Sequence, residues 1–115
     1  MLEVRIREDS QQRLSSFSAT GHVGLAESGQ DVVCAAVSAI LQAAWLGLEE
    51  VARVEVQGQR RSGRLELSWP ASAREDPGLR AIVATAALSV ERIAAQFPDH
   101  VRIVHERATG ESGPG

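Results

Sequence analysis

The chain has 115 residues and a mass of 12.3 kDa, the size of one domain, and a chain of this mass buries roughly two thirds of its unfolded surface. Its net charge is −3 and its twelve basic residues are all arginine, with no tyrosine, two tryptophans and two phenylalanines. That balance lacks the clustered positive charge and stacking aromatics that direct nucleic-acid binding uses. One cysteine excludes an internal disulfide and suits a reducing compartment. The opening MLEVRIRED lacks a signal peptide's apolar core, and no run reads as approaching ~18 apolar residues without charge. A cytoplasmic protein with no membrane association is expected.

In chain order, Leu2, Val4 and Ile6 alternate with Glu3, Arg5 and Arg7, the pattern of a half-buried strand. EDSQQ at 8–12 reads as a turn, and RLSSFSAT at 13–20 as the returning strand of a hairpin. Its alternation breaks between Leu14 and Phe17, which marks a bulge. The segment from Gly21 to Ser38, GHVGLAESGQDVVCAAVS, holds His22, the sole cysteine Cys34, and a loop over 23–30 with Gly24 and Gly29. That loop reads either as a plain surface connection or as a mobile lid. Asp31 reads as the N-cap of a helix running VVCAAVSAILQAAWLGLEEVA, so that Val32, Val33 and Cys34 take its first three positions. Val33, Val37, Ile40, Ala44 and Leu48 form one apolar stripe, and Cys34, Leu41 and Trp45 a second. Such a helix is expected to be covered on more than one side. Ser38 falls one turn after Cys34 on the same face.

VARVEVQ at 51–57 and GRLELSW at 63–69 both alternate and predict a second hairpin, with GQRRSG as its turn and Arg60 and Arg61 in solvent. Trp69 is predicted to be core. Asp76 and Pro77 open a second helix as cap and first residue. Leu79, Val83, Ala86, Val90, Ile93 and Phe97 give it one stripe, and Pro98 stops it. HVRIVHE at 100–106 is a last strand, and ATGESGPG is too small and polar to pack. The expected organisation is one domain over 1–107 with a tail over 108–115. The order β-β-α-β-β-α-β predicts an α+β fold, an antiparallel-rich sheet with two helices in two or three layers.

At the start of a helix, Cys34 meets a partial positive charge that favours a thiolate. His22 lies twelve residues earlier, and closing that loop costs roughly 2 kcal/mol plus a constant. A cysteine–histidine nucleophile pair is therefore available. Against it, a lone cysteine in an apolar helix is usually core, and a thiol redox sensor would want a resolving cysteine. One cysteine and three scattered histidines match no metal-ligand spacing, so neither metal nor cofactor is expected. Chemistry alone leaves the catalytic and buried readings open.

At these residues the sequence also resembles a family. GH followed by G-x-D-V-V-C-A-A-V-S is similar to the signature of the ribosomal-processing cysteine proteases called Prp. The SF at Ser16–Phe17 and QFPDHV at 96–101 extend the resemblance over nearly the whole chain. Leu25 departs from it, standing where an aromatic residue is expected. The resemblance implies that Cys34 and His22 are the catalytic pair, that Asp31 and Ser38 support them, and that Gly21, Gly24 and Gly29 belong to the loop. It implies as substrate the N-terminal extension of a large-subunit ribosomal protein, and it implies a homodimer. The alternative is a non-catalytic ribosome-associated binding module with a buried Cys34. Glu27 and Asp31, near the proposed site, predict a preference for basic residues close to the cut, weakened by salt.

Overall fold

The alternation of residues 2–7 and the break after Leu14 lead directly to the first hairpin. In the computed structural model, which describes residues 1–21 and 30–108, β1 (Leu2–Glu8) pairs antiparallel with β2 (Leu14–Thr20). The register steps from Arg7↔Ser16 to Glu8↔Leu14, so Ser15 is the extra residue of the expected bulge. Next come α1 (Gln30–Glu50), the hairpin β3 (Gln57–Arg61) and β4 (Arg64–Ser68), a 3-10 turn at Ala71–Ala73, α2 (Pro77–Gln96) and β5 (Val101–Arg107). The element order is the one expected. The sheet runs β3-β4-β2-β1-β5, antiparallel except for the parallel β1–β5 pair.

One sheet face carries Leu2, Val4, Ile6, Phe17, Ala19, Leu65 and Leu67, all buried in one core with both helices. The other face carries Glu3, Arg5, Arg7, Arg102 and Glu106, joined in a ladder of ion pairs. Arg5 meets Glu3 at 2.7 Å and also Glu106, Arg7 meets Glu106 at 2.6 Å, and Arg102 meets Glu3 at 2.9 Å. The architecture is therefore two layers, with charge on the uncovered side.

Three expectations change at α1. The helix begins at Gln30, so Asp31 lies inside its first turn instead of before it. The buried stripe is Val33, Val37, Leu41, Ala44 and Leu48, with Leu41 in the place expected for Ile40. Val32, Ala35, Ala39, Ala43 and Leu46 face outward, so the helix is covered on one side only. The third change concerns charge: from Val32 to Leu48 there is no charged residue, and by length and composition Val32–Glu50 could cross a membrane. Here that apolar length supplies the core, with Val37 and Leu48 wholly inaccessible.

The stretch expected as a strand over 51–57 is mostly the exit from α1. Val51 and Ala52 bond back to the Gly47 carbonyl at 2.9 and 3.0 Å, Val54 bonds to Leu48 at 2.8 Å, and Arg53 takes φ 57°. A left-handed residue of this kind ends a helix and redirects the chain. The alternation is present, but these residues close the helix instead of pairing. Strand β3 consequently starts at Gln57, and Arg60 and Arg61 are strand residues, not turn residues. Ser62 and Gly63 make the turn, with Gly63 supplying the positive φ of 76°, which glycine adopts without steric cost. Gly58 serves a different purpose, because a Cβ there would lie 2.3 Å from the Trp45 ring. The missing side chain lets α1 set Trp45 against the edge strand.

The far end of the sheet is closed by Asp9. Its Oδ1 accepts the Gln11 and Arg13 backbone N–H groups at 2.8 and 3.0 Å. Its Oδ2 accepts Arg13 Nε at 2.9 Å and Arg74 Nη1 at 3.1 Å, and Arg74 also donates to the Trp69 carbonyl. Burial opposes the charge, but those hydrogen bonds overcome it and pull the Asp9 pKa down to about 2. Trp69 is buried as expected, edge-on to Phe17 at 5.2 Å, with its indole N–H on the Leu14 carbonyl at 2.7 Å. Asp76 caps α2 through Leu79 N–H at 2.9 Å, and Pro77 opens it. Phe97, expected in the stripe, is instead partly exposed at the C-cap.

Candidate active site

Cys34 is the fifth residue of α1, deeper than the expected third position, because the helix starts earlier. It is half-buried and lines an open cleft of about 420 Å³. Three elements build the cleft. Helix α1 contributes Cys34, Ala35 and Ser38. The end of the first hairpin contributes Leu2, Ala19 and Gly21. The β3–β4 hairpin contributes Arg60 through Leu65. Ser38, expected beside the thiol, is in the cleft with it, and its Oγ accepts a hydrogen bond from Gln42 Nε2 at 2.7 Å.

Gly21 fixes the join between the two hairpins. Its N–H donates to the Gly63 carbonyl at 3.1 Å. A Cβ on it would approach Leu2 Cδ1 to 2.9 Å and Leu2 Cα to 3.0 Å, so a larger residue here would press on the start of β1. His22, Gly24, Glu27, Gly29 and the lid reading lie outside the described residues, as does the Asp31 side chain.

Sequence reasoning missed the hairpin arginines. Arg60 pairs with Leu65, which pairs with Ala19, so Arg60 holds a register position on the helix-covered face. Directly opposite residues of an antiparallel pair share a face. The signal was present in the alternation Gly58, Arg60 against Leu65, Leu67, but only with the strand boundaries known. A second cleft of about 530 Å³, bordered by Arg13, Glu75 and Arg80, lies by the Asp9 turn and has no cysteine or histidine in its walls.

A family model described as cysteine protease Prp matches residues 1–102. The chain belongs to the Prp cysteine protease family. A Prp-family relative, the ribosomal processing cysteine protease Prp of Bacillus subtilis, is 28% identical over 111 residues, spanning 90% of this chain and 96% of the relative. The Prp fold is shared with the ribosomal processing protease Prp of S. aureus solved with a substrate peptide, at TM-score 0.83 and 18% identity over 91% of this chain and 99% of that one. The same S. aureus protease with a covalently linked product peptide gives TM-score 0.78 and 19% identity, over the same shares of both chains. The cysteine-protease reading of the sequence therefore holds, and the non-catalytic module is not favoured.

Proposed function

We propose that this Prp-family protease removes the N-terminal extension of a large-subunit ribosomal protein, with Cys34 as nucleophile and His22 as its base. Cys34 attacks the peptide carbonyl as thiolate, and His22 takes the thiol proton and returns it to the leaving amine. Water then hydrolyses the thioester. Backbone N–H groups in the first turn of α1 are the nearest source of oxyanion stabilisation. Asp31, in that turn, supports the helix's positive end, and Ser38, held by Gln42, packs the wall below the thiol.

The observation that carries this reading is the shared cleft. Cys34 forms one wall, and Gly21, the residue directly before His22, forms another. The family membership and the substrate and product peptides bound by S. aureus Prp support the substrate class. Incubation with the organism's own ribosomal protein, read by intact mass, tests it. One defined N-terminal fragment is expected from the wild type and none from Cys34→Ala. An uncut protein would reject this substrate.

The reading includes a homodimer in the cytoplasm. The exposed apolar residues Val32 and Leu46 on the outward face of α1 support the dimer, since an apolar face left open tends to be covered. Sedimentation across protein concentrations tests it, a monomer at all concentrations being the contrary result. The single cysteine supports a reducing compartment.

A further inference from the structure

The cleft beside Cys34 carries a charge that the peptidase reading does not use. Arg60 sits at a core-facing register position on edge strand β3, two residues after Gly58, where the Trp45 ring occupies the side-chain space. A core-facing position normally takes an apolar residue. Here it is arginine, exposed to solvent on the edge strand, and it lines the Cys34 cleft. Arg61 lines the same cleft and stands directly opposite Arg64 in the ladder, an arrangement that like-charge repulsion disfavours. Arg64 is neutralised by Glu66, with Nε to Oε2 at 2.5 Å. Among the described residues, Arg60 and Arg61 have no acidic partner. Helix α1, whose N-terminal turn carries partial positive charge, supplies Cys34, Ala35 and Ser38 to the same cleft. Arg60 and Arg61 thus stand exposed at the rim of one cleft, Arg60 from the helix-covered face and Arg61 from the opposite face, and neither has an acidic partner among the described residues.

We infer that the hairpin edge of this cleft recognises a carboxylate of the peptide substrate through Arg60 and Arg61. Guanidinium groups pair with carboxylates through two parallel hydrogen bonds. The inference deepens the proposed peptidase reading and rests on it for the identity of the ligand as a peptide. It reverses the charge preference expected from Glu27 and Asp31 on this side of the cleft.

Because Cys34 is the only thiol, it reports the local charge without any turnover. The test compares its reaction with dianionic 5,5′-dithiobis(2-nitrobenzoate) and with neutral 4,4′-dithiodipyridine. In the double variant Arg60→Gln/Arg61→Gln, the dianion should slow roughly fivefold or more, the scale of one to two partly exposed charge pairs. The neutral reagent should change less than about twofold by the same reasoning, and Arg60→Lys/Arg61→Lys should recover most of the dianion rate. An unchanged dianion rate overturns the inference, and so does equal slowing of both reagents. Protection of Cys34 from 4,4′-dithiodipyridine then separates the sources of the carboxylate. Amidated junction peptides with Glu or Gln beside the bond read a side chain, and the released fragment with free or amidated C-terminus reads a terminal carboxylate. Stronger protection by the acidic member of either pair supports the inference, and equal protection within both pairs overturns it. Anion selectivity without any peptide cleavage would remove the peptidase reading alone, whereas cleavage without selectivity would remove the carboxylate alone.

Discussion

The two ends of this sheet use the same chemistry to opposite effect. At the β1–β2 turn, Arg13 and Arg74 converge on Asp9, and every one of these charges is answered within the chain. At the tip of the β3–β4 hairpin, Arg60 and Arg61 line a cleft with no described acidic partner, beside the only thiol. Charges satisfied internally fix a fold, while charges left open beside a nucleophile are available to a ligand. The comparison separates a structural arginine cluster from one placed for recognition.

The largest stability effect is expected at the closed end. Asp9→Ala removes the carboxylate acceptor of Arg13, of Arg74 (which keeps the Trp69 carbonyl) and of two backbone N–H groups, and should cost about 2–4 kcal/mol, measured by urea unfolding, with activity per folded molecule retained. A loss below about 0.5 kcal/mol, the range of ordinary surface changes, would mean the cluster is not what holds that turn. The same group sets an acid limit. The Asp9 pKa is lowered from 3.8 to about 2, so its stabilising contribution is fully present above about pH 4 and is lost as pH falls through about 2. Wild type and Asp9→Asn should therefore differ in melting temperature at pH 5 and converge toward pH 2. A constant gap across that range would contradict the assignment.

Gly58→Ala is expected to come next, at about 1–3 kcal/mol, because the new methyl meets the Trp45 ring. Since β3 carries Arg60, this variant should also lose anion selectivity at Cys34, whereas Asp9→Ala should not. Equal effects of the two variants on that selectivity would erase the distinction between the ends. Smaller still are the helix starts. Asp76→Ala should cost about 0.5–2 kcal/mol as a true cap. Asp31→Ala should cost about 0.3–1 kcal/mol, the scale of a first-turn charge. Thermal unfolding of both variants tests that ranking, and a larger loss at Asp31 would restore it as the cap.

Much of this contrast was hidden in the sequence. Local signals sufficed where local physics decides: the alternation of Leu2, Val4 and Ile6, the Asp76-Pro77 opening, the element order and the placing of Cys34 with Ser38. They failed where a distant partner decides. Leu41 takes the fully buried place and leaves Ile40 partly buried against the core, because the sheet and α2 choose which side of an evenly apolar helix is buried. The apparent strand at 51–57 is consumed by closing α1 through Arg53. Gly58 reads as a turn residue until Trp45 is seen to fill its space. Arg60 and Arg61 stay in solvent as expected, but as strand residues at the rim of the cleft instead of turn residues.

The central claim is that Cys34 performs the cleavage in this cleft, and its status as the sole thiol makes the decisive measurement simple. Graded alkylation with iodoacetamide, followed by intact mass, should reduce cleavage of the ribosomal-protein junction in proportion to the fraction modified. Activity should reach zero at one carbamidomethyl group per chain. Fully alkylated protein that still releases the fragment at the unmodified rate would contradict the account.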